Sequence, residues 1–127
     1  MIDFSNFKAD GSAPIYQQIL MYVKRGIAAG TIADGEELPS RRALSVLLGI
    51  NPNTAQKAFS MLESEGIISS SHGVNSIITA DPKKVKNLQE ELLASDVISA
   101  VSALKQSGLS LEQALALMAH YWEEAKV

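Results

Sequence analysis

The amino-acid sequence predicts a mainly α-helical protein with one small β-hairpin. Five segments repeat their apolar residues at helical spacing, and each begins with a proline or with a residue type that caps helices. A run between the third and fourth segments, from Ile67 to Ala80, instead combines isoleucine, serine and threonine around a glycine-containing turn. The chain has 127 residues, the length of one domain or of a small domain with an extension.

The composition argues against an exported or membrane protein. The chain has no cysteine, which rules out disulfides and thiolate zinc sites and fits a reducing cytoplasm. Its first residues, MIDFSNFKAD, lack a basic region followed by an apolar run, and no stretch approaches the roughly 18 to 20 apolar residues of a membrane span. We therefore expect a cytoplasmic protein with no membrane partner.

The first helix is predicted to run from Pro14 to Ala29, where an apolar residue recurs at every fourth position. These positions are Ile15, Ile19, Val23 and Ile27, with Tyr16 and Leu20 beside them. Residues 1–13 have no clear period and are predicted to form an extended or mobile N-terminal arm, which Phe4 and Phe7 could dock.

Two short helices joined by a tight turn follow. Ser40 is a suitable N-cap for the first of them, which is predicted to end near Leu48. Asn51 caps the second, and Pro52 takes its first position. The predicted buried sides are Leu44, Val46, Leu47 and Leu48 on the first helix and Ala55, Ala58, Phe59 and Leu62 on the second. The second helix leaves a polar set facing outward, namely Asn53, Thr54, Gln56, Lys57 and Ser60.

The hairpin is predicted to pair Ile67–Ser70 with Ser76–Ala80. After it, an Asp-Pro pair begins a long helix that ends at Gly108, and Ser110 caps a final helix. The final helix carries an apolar stripe of Leu111, Leu115, Met118 and Trp122, widened by Ala114, Leu117 and Tyr121. Three lysines at the start of the long helix either approach phosphate or form a solvated face, namely Lys83, Lys84 and Lys86.

The order helix, helix, turn, helix and hairpin is that of a winged helix-turn-helix, whose third helix enters the DNA major groove. The net charge of the chain is −3, yet the stretch from Leu38 to Leu62 holds three basic residues and no acidic one. Asn and Gln can pair with adenine, and Arg and Lys can meet guanine or phosphate. The alternative is an ordinary solvated helix face, and the spacing of the residues alone leaves both interpretations open.

The stretch from Leu38 to Gly66 resembles the winged-helix domain of the GntR family of bacterial transcriptional regulators. Family members share a helix beginning Leu-Pro-Ser-x-Arg, a Leu-Gly-Val/Ile turn and a Thr-Val-x-x-Ala run that ends in Leu-x-x-x-Gly. The matching residues are Leu38, Pro39, Ser40 and Arg42; Leu48, Gly49 and Ile50; Thr54, Ala55 and Ala58; and Leu62 with Gly66. Four further matches, Tyr16, Ile27, Gly30 and Gly35, extend the resemblance over about residues 14–80.

The resemblance implies that the starts of both short helices and the wing contact double-stranded DNA. The positions that match the family's contacts are Arg42, Asn51, Asn53, Thr54 and Gln56. The full set of predicted DNA-binding residues is Ser40, Arg41, Arg42, Asn51, Pro52, Asn53, Thr54, Gln56, Lys57, His72 and Gly73. Pro52 replaces an arginine that many family members use, and the wing from His72 onward loses one glycine and a cationic arginine.

The Asn-Pro-Asn-Thr variant at the third helix and the short tail resemble the YtrA-type branch of the family. That likeness implies a homodimer built from the two tail helices, which acts as a repressor, often of a transporter operon. The residues themselves leave two options, because the apolar tail must either fold back on the winged helix or pair with a second copy, and we favour the pair. A two-fold dimer predicts an inverted-repeat operator with half-sites one DNA turn, or a multiple of it, apart.

The sequence therefore predicts three parts. These are an N-terminal arm over residues 1–13, a winged helix-turn-helix DNA-binding domain over 14–80 and a helical dimerisation tail over 81–127. A small-molecule effector, if one binds, has room only between helices or at a dimer seam.

Other functional classes find little support in the sequence. It has no Gly-x-Ser-x-Gly elbow and no phosphate-binding glycine loop, so no catalytic residue is predicted and the chain is not expected to be an enzyme. No cofactor is expected, and His72 and His120 share no metal-ligand spacing. The alternative function is a winged helix that binds only another protein, but such a face needs apolar anchors where this one has Asn53, Gln56 and Lys57.

Overall fold

A computed structural model describes residues 1–70 and 75–125 of the chain. Its elements are α1 (Ile15–Ala29), α2 (Arg41–Leu48), α3 (Pro52–Ser64), β1 (Ile68–Ser69), β2 (Ile77–Ile78), α4 (Pro82–Gln106) and α5 (Leu111–Trp122). The predicted fold class, mainly helical with one small hairpin, is confirmed. The chain divides into two compact units, Met1–Glu90 and Glu91–Val127, which are described separately.

The core of the first unit forms around α3, which packs against both α1 and α2. The predicted inward stripe of α3 is confirmed, because Ala55, Ala58, Phe59 and Leu62 are all buried. They meet the apolar face of α1, whose fully buried members are Ile19, Val23 and Ile27. One inward face is thus fixed on α3, which leaves its opposite face for solvent or a ligand.

The predicted buried side of α2 is only half correct. Leu44 is fully buried and Leu48 is half-buried, whereas Val46 is 78% exposed and Leu47 is 63% exposed. Each residue advances about 100° around a helix axis, so Leu44 and Leu48, four residues apart, share a face, whereas Val46 and Leu47 lie on other sides of the helix. Ser45 takes the remaining buried place, and its hydroxyl donates to the carbonyl of Arg42 at 2.8 Å. Helical angle, rather than apolar composition, decides which side of this short helix is buried.

A glycine turn fixes the angle between α2 and α3. Gly49 has a φ of 64°, in the left-handed region that side chains disfavour, and the backbone N–H of Ile50 donates to the carbonyl of Ser45 at 3.0 Å. The side chain of Asn51 then accepts from the backbone N–H of Asn53 at 2.8 Å, with Pro52 at the first helical position. These caps were predicted, and together they aim the start of α3.

The N-terminal arm contains turns at residues 5–6 and 11–12 and packs against the rest of the first unit. Ile2 and Phe4 are buried, and the backbone N–H of Ile2 donates to the carbonyl of Glu37 at 2.8 Å. The rings of Phe4 and Phe7 lie 5.3 Å and 5.5 Å from the ring of Tyr22, centroid to centroid. The predicted docking by Phe4 and Phe7 is confirmed, and Ile2, which was not predicted, docks the arm as well.

The wing is an antiparallel hairpin in which Ile68 pairs with Ile78 and Ser69 with Ile77. The predicted hairpin is confirmed with shorter strands, and residues 71–74, which would form its tip, lie outside the described residues. A third segment joins it, because Glu37 forms a bridge with Ile77. This segment was not predicted, since the Asp-Gly and Leu-Pro pairs around it indicate a loop.

The start of α4 is attached to the first unit. Leu88 is buried, and the side-chain amide of Gln89 donates to the carbonyl of Ala28 at 2.9 Å. The ammonium of Lys84 donates to the carbonyl of Gly66. The two roles considered for the lysines, phosphate contact and solvated face, therefore do not describe Lys84, which is half-buried and tied to the backbone behind the wing.

The second unit carries a large apolar surface that it does not bury. Ser110 and Gln113 form a capping box at the start of α5, as helix formation there requires. No residue of α5 is buried. The exposed apolar side chains of this unit are Leu93, Val97, Ile98, Val101, Leu111, Leu115, Leu117, Met118, Tyr121 and Trp122. Across the described residues, no helix combines the length and apolarity needed to cross a membrane.

Candidate nucleic-acid interface

The start of α2 presents a hydroxyl and a cation to solvent. Ser40 is exposed, and its hydroxyl accepts from the backbone N–H of Ala43 at 3.0 Å, which closes the first turn of the helix. Arg42, in that same turn, is exposed. The helix dipole and the unpaired N–H groups of such a turn favour an anion, and the Arg42 guanidinium adds a full positive charge. This end of α2 can hold a phosphate oxygen.

The start of α3 presents groups that can pair with base edges. Pro52 and Asn53 are exposed, and Thr54 is half-buried. Asn51 is also exposed, but its side-chain oxygen accepts from the N–H of Asn53, so its amide group is the part left for a ligand. Amide side chains at the N-terminal end of a helix can reach base edges in the major groove.

The second turn of α3 carries an amide and a cation that are both partly engaged within the chain. The side-chain amide of Gln56 donates to the hydroxyl of Ser60 at 3.3 Å. The Lys57 ammonium lies 4.1 Å from the ring centroid of Tyr16, on α1. A cation–π contact at an exposed site contributes about 0.5 to 1 kcal/mol, so the contact with Tyr16 orients the Lys57 side chain without removing it from solvent. Both residues are exposed.

Arg41 points toward α3 instead. Its guanidinium forms an ion pair with Glu63 at 3.0 Å, and its Cζ lies 4.8 Å from the ring centroid of Phe59. The side chains of Arg41 and Glu63 are 35% and 38% exposed, so the pair is partly covered. Sequence reasoning did not find this pair, because its members are 22 residues apart and neither lies in a pattern that indicates the other.

A hollow of about 390 Å³ lies between the start of α2 and the wing. Its lining residues are Ser40, Arg41, Arg42, Phe59, Ser70, Asn75 and Ser76. The Ser70 hydroxyl donates to the Glu63 carboxylate at 2.7 Å, and the hydroxyls of Ser70 and Ser76 are 2.8 Å apart. The basic start of α2 thus lies next to the hydroxyl groups of Ser70 and Ser76, which adjoin β1 and β2. Ser70 and Ser76 were not predicted site residues.

The predicted site residues fall into three groups. Ser40, Arg41 and Arg42 lie together at the start of α2, and the residues predicted between Asn51 and Lys57 lie along the first two turns of α3. His72 and Gly73, predicted for the wing, lie outside the described residues. Within the part of the chain that the structure describes, no cluster of histidine and acidic residues could hold a metal ion.

Acid should weaken the contact between Arg41 and Glu63. The hydrogen bond from Ser70 lowers the pKa of Glu63 most, and Arg41 lowers it further, while burial opposes them. A carboxyl group with a lowered pKa in the folded state stabilises the fold above its unfolded pKa, about 4.3 for Glu, and loses that contribution as the pH falls through the folded value. The melting temperature of the Glu63→Gln variant should therefore lie below that of the unmodified protein at neutral pH. This gap should close in acid, and a gap independent of pH would contradict the role of the charged carboxylate.

Comparison with known proteins agrees with this geometry. Residues 15–78 match the family model described as bacterial regulatory proteins, gntR family. The chain is 40% identical over 72 residues to the HTH-type transcriptional repressor YtrA of Bacillus subtilis, covering 57% of this chain and 55% of that protein. It thus spans about half the length of that relative.

Two further matches cover more of the chain. The uncharacterised HTH-type transcriptional regulator YhcF of Bacillus subtilis is 30% identical over 104 residues, which are 82% of this chain and 86% of that protein. The structure of a GntR family transcriptional regulator from Listeria monocytogenes superposes with a TM-score of 0.78 and 29% identity over 93% of this chain and 100% of that one. The chain therefore belongs to the GntR family of bacterial transcriptional regulators and carries that family's DNA-binding winged helix-turn-helix.

Proposed function

We propose that the chain is a repressor that binds an inverted-repeat operator as a homodimer, with a transporter operon as its target. The observation that carries this proposal is the division of α3 into two faces. One face packs into the core through Ala58, Phe59 and Leu62, and the other presents Asn53 and Gln56 to solvent. These two residues lie at the N-terminal end of α3, the end that enters the major groove in winged helix-turn-helix proteins.

In this proposal, α3 reads bases and α2 holds the backbone. Asn53 and Gln56 are the base-reading residues, because their amide groups can donate to and accept from adenine at once. Arg42 binds phosphate at the exposed start of α2. The remaining predicted contacts are Ser40 on phosphate, Asn51, Pro52, Thr54 and Lys57 along the entrance to the groove, and His72 with Gly73 in the wing.

The apolar surface of the second unit supports a dimer. Contiguous apolar patches larger than a few hundred Å² are rare on monomers and mark interaction sites. The stripe on α5, which includes Leu115, Met118 and Trp122, is exposed along its whole length. A second copy is the partner that always carries a matching surface, since a two-fold interface uses the same patch twice. The two α3 helices of such a dimer would lie about 34 Å apart, or a multiple of it.

Similarity to the YtrA branch of the family supports the repressor role and the target. The YtrA relative is named a transcriptional repressor. The transporter operon is what the resemblance to the YtrA-type branch implies. In the native host, deletion of the gene should raise the transcription of the operon next to the bound site. A fall in transcription would contradict repression.

Arg42→Ala should weaken binding to every duplex and reduce its salt dependence. Each neutralised phosphate contributes about −0.9 to the slope of log K against log salt, because it releases condensed counterions. The variant should therefore show a slope smaller in magnitude by about 0.9, as measured by fluorescence anisotropy over a salt series. Lys105→Ala, in the second unit, is the matched control and should leave the slope unchanged. An unchanged slope for Arg42→Ala would remove Arg42 from the phosphate contacts.

Gln56→Ala should instead change base preference at a single position of each half-site. The expected loss of discrimination is about 1 to 3 kcal/mol, the contribution of one bidentate base contact. Comparing affinities for duplexes substituted one base pair at a time measures it, with the exposed Ser64→Ala change at the far end of α3 as the control. A uniform loss across all duplexes would mean that Gln56 does not read bases.

A further inference from the structure

We propose that Arg41 is a positioning residue for DNA binding, because its pair with Glu63 fixes the start of α2 and both wing strands to α3. The predicted direct DNA contact by Arg41 is replaced by this role. The inference rests on the proposed DNA-binding surface, and it assigns the two adjacent arginines of α2 to different tasks: Arg42 binds phosphate, and Arg41 holds the framework that presents it.

Two contacts hold Arg41 against the first unit. Its guanidinium is paired with Glu63 at 3.0 Å and stacked over Phe59 at 4.8 Å from the ring centroid. Its Nε is buried. Phe59 is itself fully buried, so the guanidinium lies against a fixed part of the core rather than on a movable surface group. Arginine suits this position, because its planar head can stack on a ring and donate to a carboxylate at once.

The Glu63 carboxylate extends this contact to the wing. The same oxygen that accepts from Arg41 also accepts from the Ser70 hydroxyl at 2.7 Å. Since Ser70 uses its one hydroxyl proton on Glu63, the Ser76 hydroxyl, 2.8 Å away, is the donor to Ser70. Ser70 follows β1 and Ser76 precedes β2, so the contacts join the two sides of the hairpin at the end of the strands that leads to its tip. A continuous chain of polar contacts thus joins α2, α3 and the wing.

Helix dipoles disfavour both charges of this pair. Arg41 is the first residue of α2, where the dipole disfavours a cation, and Glu63 is one residue from the end of α3, where it disfavours an anion. Each charge therefore depends on the other for stabilisation. If the Arg41 side chain instead bound a phosphate, Glu63 would remain beside the DNA as an anion without a cationic partner.

The opposed dipoles also make a charge exchange a favourable test. In the double variant Arg41→Glu/Glu63→Arg, each new charge suits its helix end, and the guanidinium at position 63 can donate to the Ser70 hydroxyl, which in the unmodified protein donates to Glu63. Affinity is measured by fluorescence anisotropy for the duplex most enriched in selection from a random pool and for a scrambled duplex of the same composition. Melting temperature and circular dichroism are recorded for each variant, so that loss of fold is separated from loss of binding.

Each single exchange should lower affinity for the selected duplex by about tenfold, and the double exchange should recover most of that loss. A double variant that melts like the unmodified protein yet binds no better than Arg41→Glu would overturn the proposal, because Arg41 would then contact DNA itself. Failure of the unmodified protein to select any duplex would instead refute the proposed function.

Neutralising Glu63 shows whether it supports the framework or only keeps Arg41 away from DNA, because the two roles predict opposite changes in affinity. Glu63→Gln loosens the framework, so affinity should fall while the slope of log K against log salt stays unchanged. If Glu63 merely kept Arg41 away from DNA, the same change would raise affinity and steepen the slope by about 0.9. That result would overturn the proposal.

A double-mutant cycle between Glu63 and Ser70 tests whether Glu63 positions the wing. Combining Glu63→Gln with Ser70→Ala should cost little more affinity than either change alone, because both break the same chain of contacts. Additive losses would show that the wing is positioned by other contacts. Glu63→Gln combined with Ser64→Ala, a neighbouring serine whose hydroxyl donates to the carbonyl of Met61, is the control and should be additive.

Discussion

Replacing Leu115 and Met118 with aspartate should convert the protein into a monomer and lower its affinity for the selected duplex by about 10² to 10⁴-fold. Both side chains are exposed on α5 within a single chain, so the charges should not disturb the helix itself. They would be buried in the proposed dimer, where an unpaired carboxylate is expensive. Once the two copies are separated, the second half-site is no longer bound at the high effective concentration that a dimer provides.

Sedimentation at micromolar concentration measures the first effect, and fluorescence anisotropy measures the second. Ala116→Asp is the control, because it adds a carboxylate to an exposed position on the opposite side of α5 from the apolar stripe. The unmodified protein and this control should sediment as dimers. A monomeric unmodified protein, or a double variant that still dimerises, would remove the tail from the dimer interface.

Phe4→Ala should lower the free energy of unfolding by about 3 to 5 kcal/mol, the usual loss when a buried aromatic side chain is deleted. Only 3% of Phe4 is exposed, and its ring stacks on Tyr22 of α1, so removal leaves a cavity between the arm and the helix. Phe7→Ala is the matched control and should cost less, because Phe7 is half-buried.

Chemical denaturation at one fixed protein concentration measures both changes, since dimerisation makes apparent stability depend on concentration. Equal losses for Phe4 and Phe7 would mean that burial does not distinguish them. A loss below about 1 kcal/mol for Phe4→Ala would show that the arm is not part of the core.

Helix boundaries were predictable because their signals are local. Ser40, Asn51 and Ser110 each cap the helix that the sequence assigns to them, and the polar-then-proline pattern places the start of α3 at Pro52. These signals depend on hydrogen bonds that reach two or three residues along the chain. Such bonds form in the same way whatever the rest of the protein does.

Contacts between distant residues were not predictable from the same signals. The pairing of Glu37 with Ile77 and the bond from Lys84 to Gly66 depend on how separate elements meet. Gly26, which helix propensity disfavours inside α1, is explained by the way the chain packs back after this helix, because a Cβ at this position would collide with the side chain of Ile32. The low helix propensity of glycine destabilises α1, and the close packing of Ile32 against Gly26 offsets that loss.

The sequence predicts which face of α3 belongs to the candidate interface, but it does not predict which individual side chains remain available to a ligand. Subtracting the inward stripe of α3 leaves its polar side, so Asn53 and Gln56 could be placed on the exposed surface from sequence alone. Arg41 and Arg42 look equivalent in the sequence. They differ in the structure, where Glu63 and Phe59 engage the first and leave the second exposed. Long-range ion pairs decide which cation remains for a ligand.

Selection of bound fragments from a pool of random DNA duplexes tests the central claim most directly, because it examines binding, symmetry and spacing in one measurement. We expect enrichment of an inverted repeat whose half-site centres are separated by about one helical turn, or a multiple of it. A pool that shows no enrichment, or a single half-site without a symmetric partner, would contradict a dimer that reads DNA through α3.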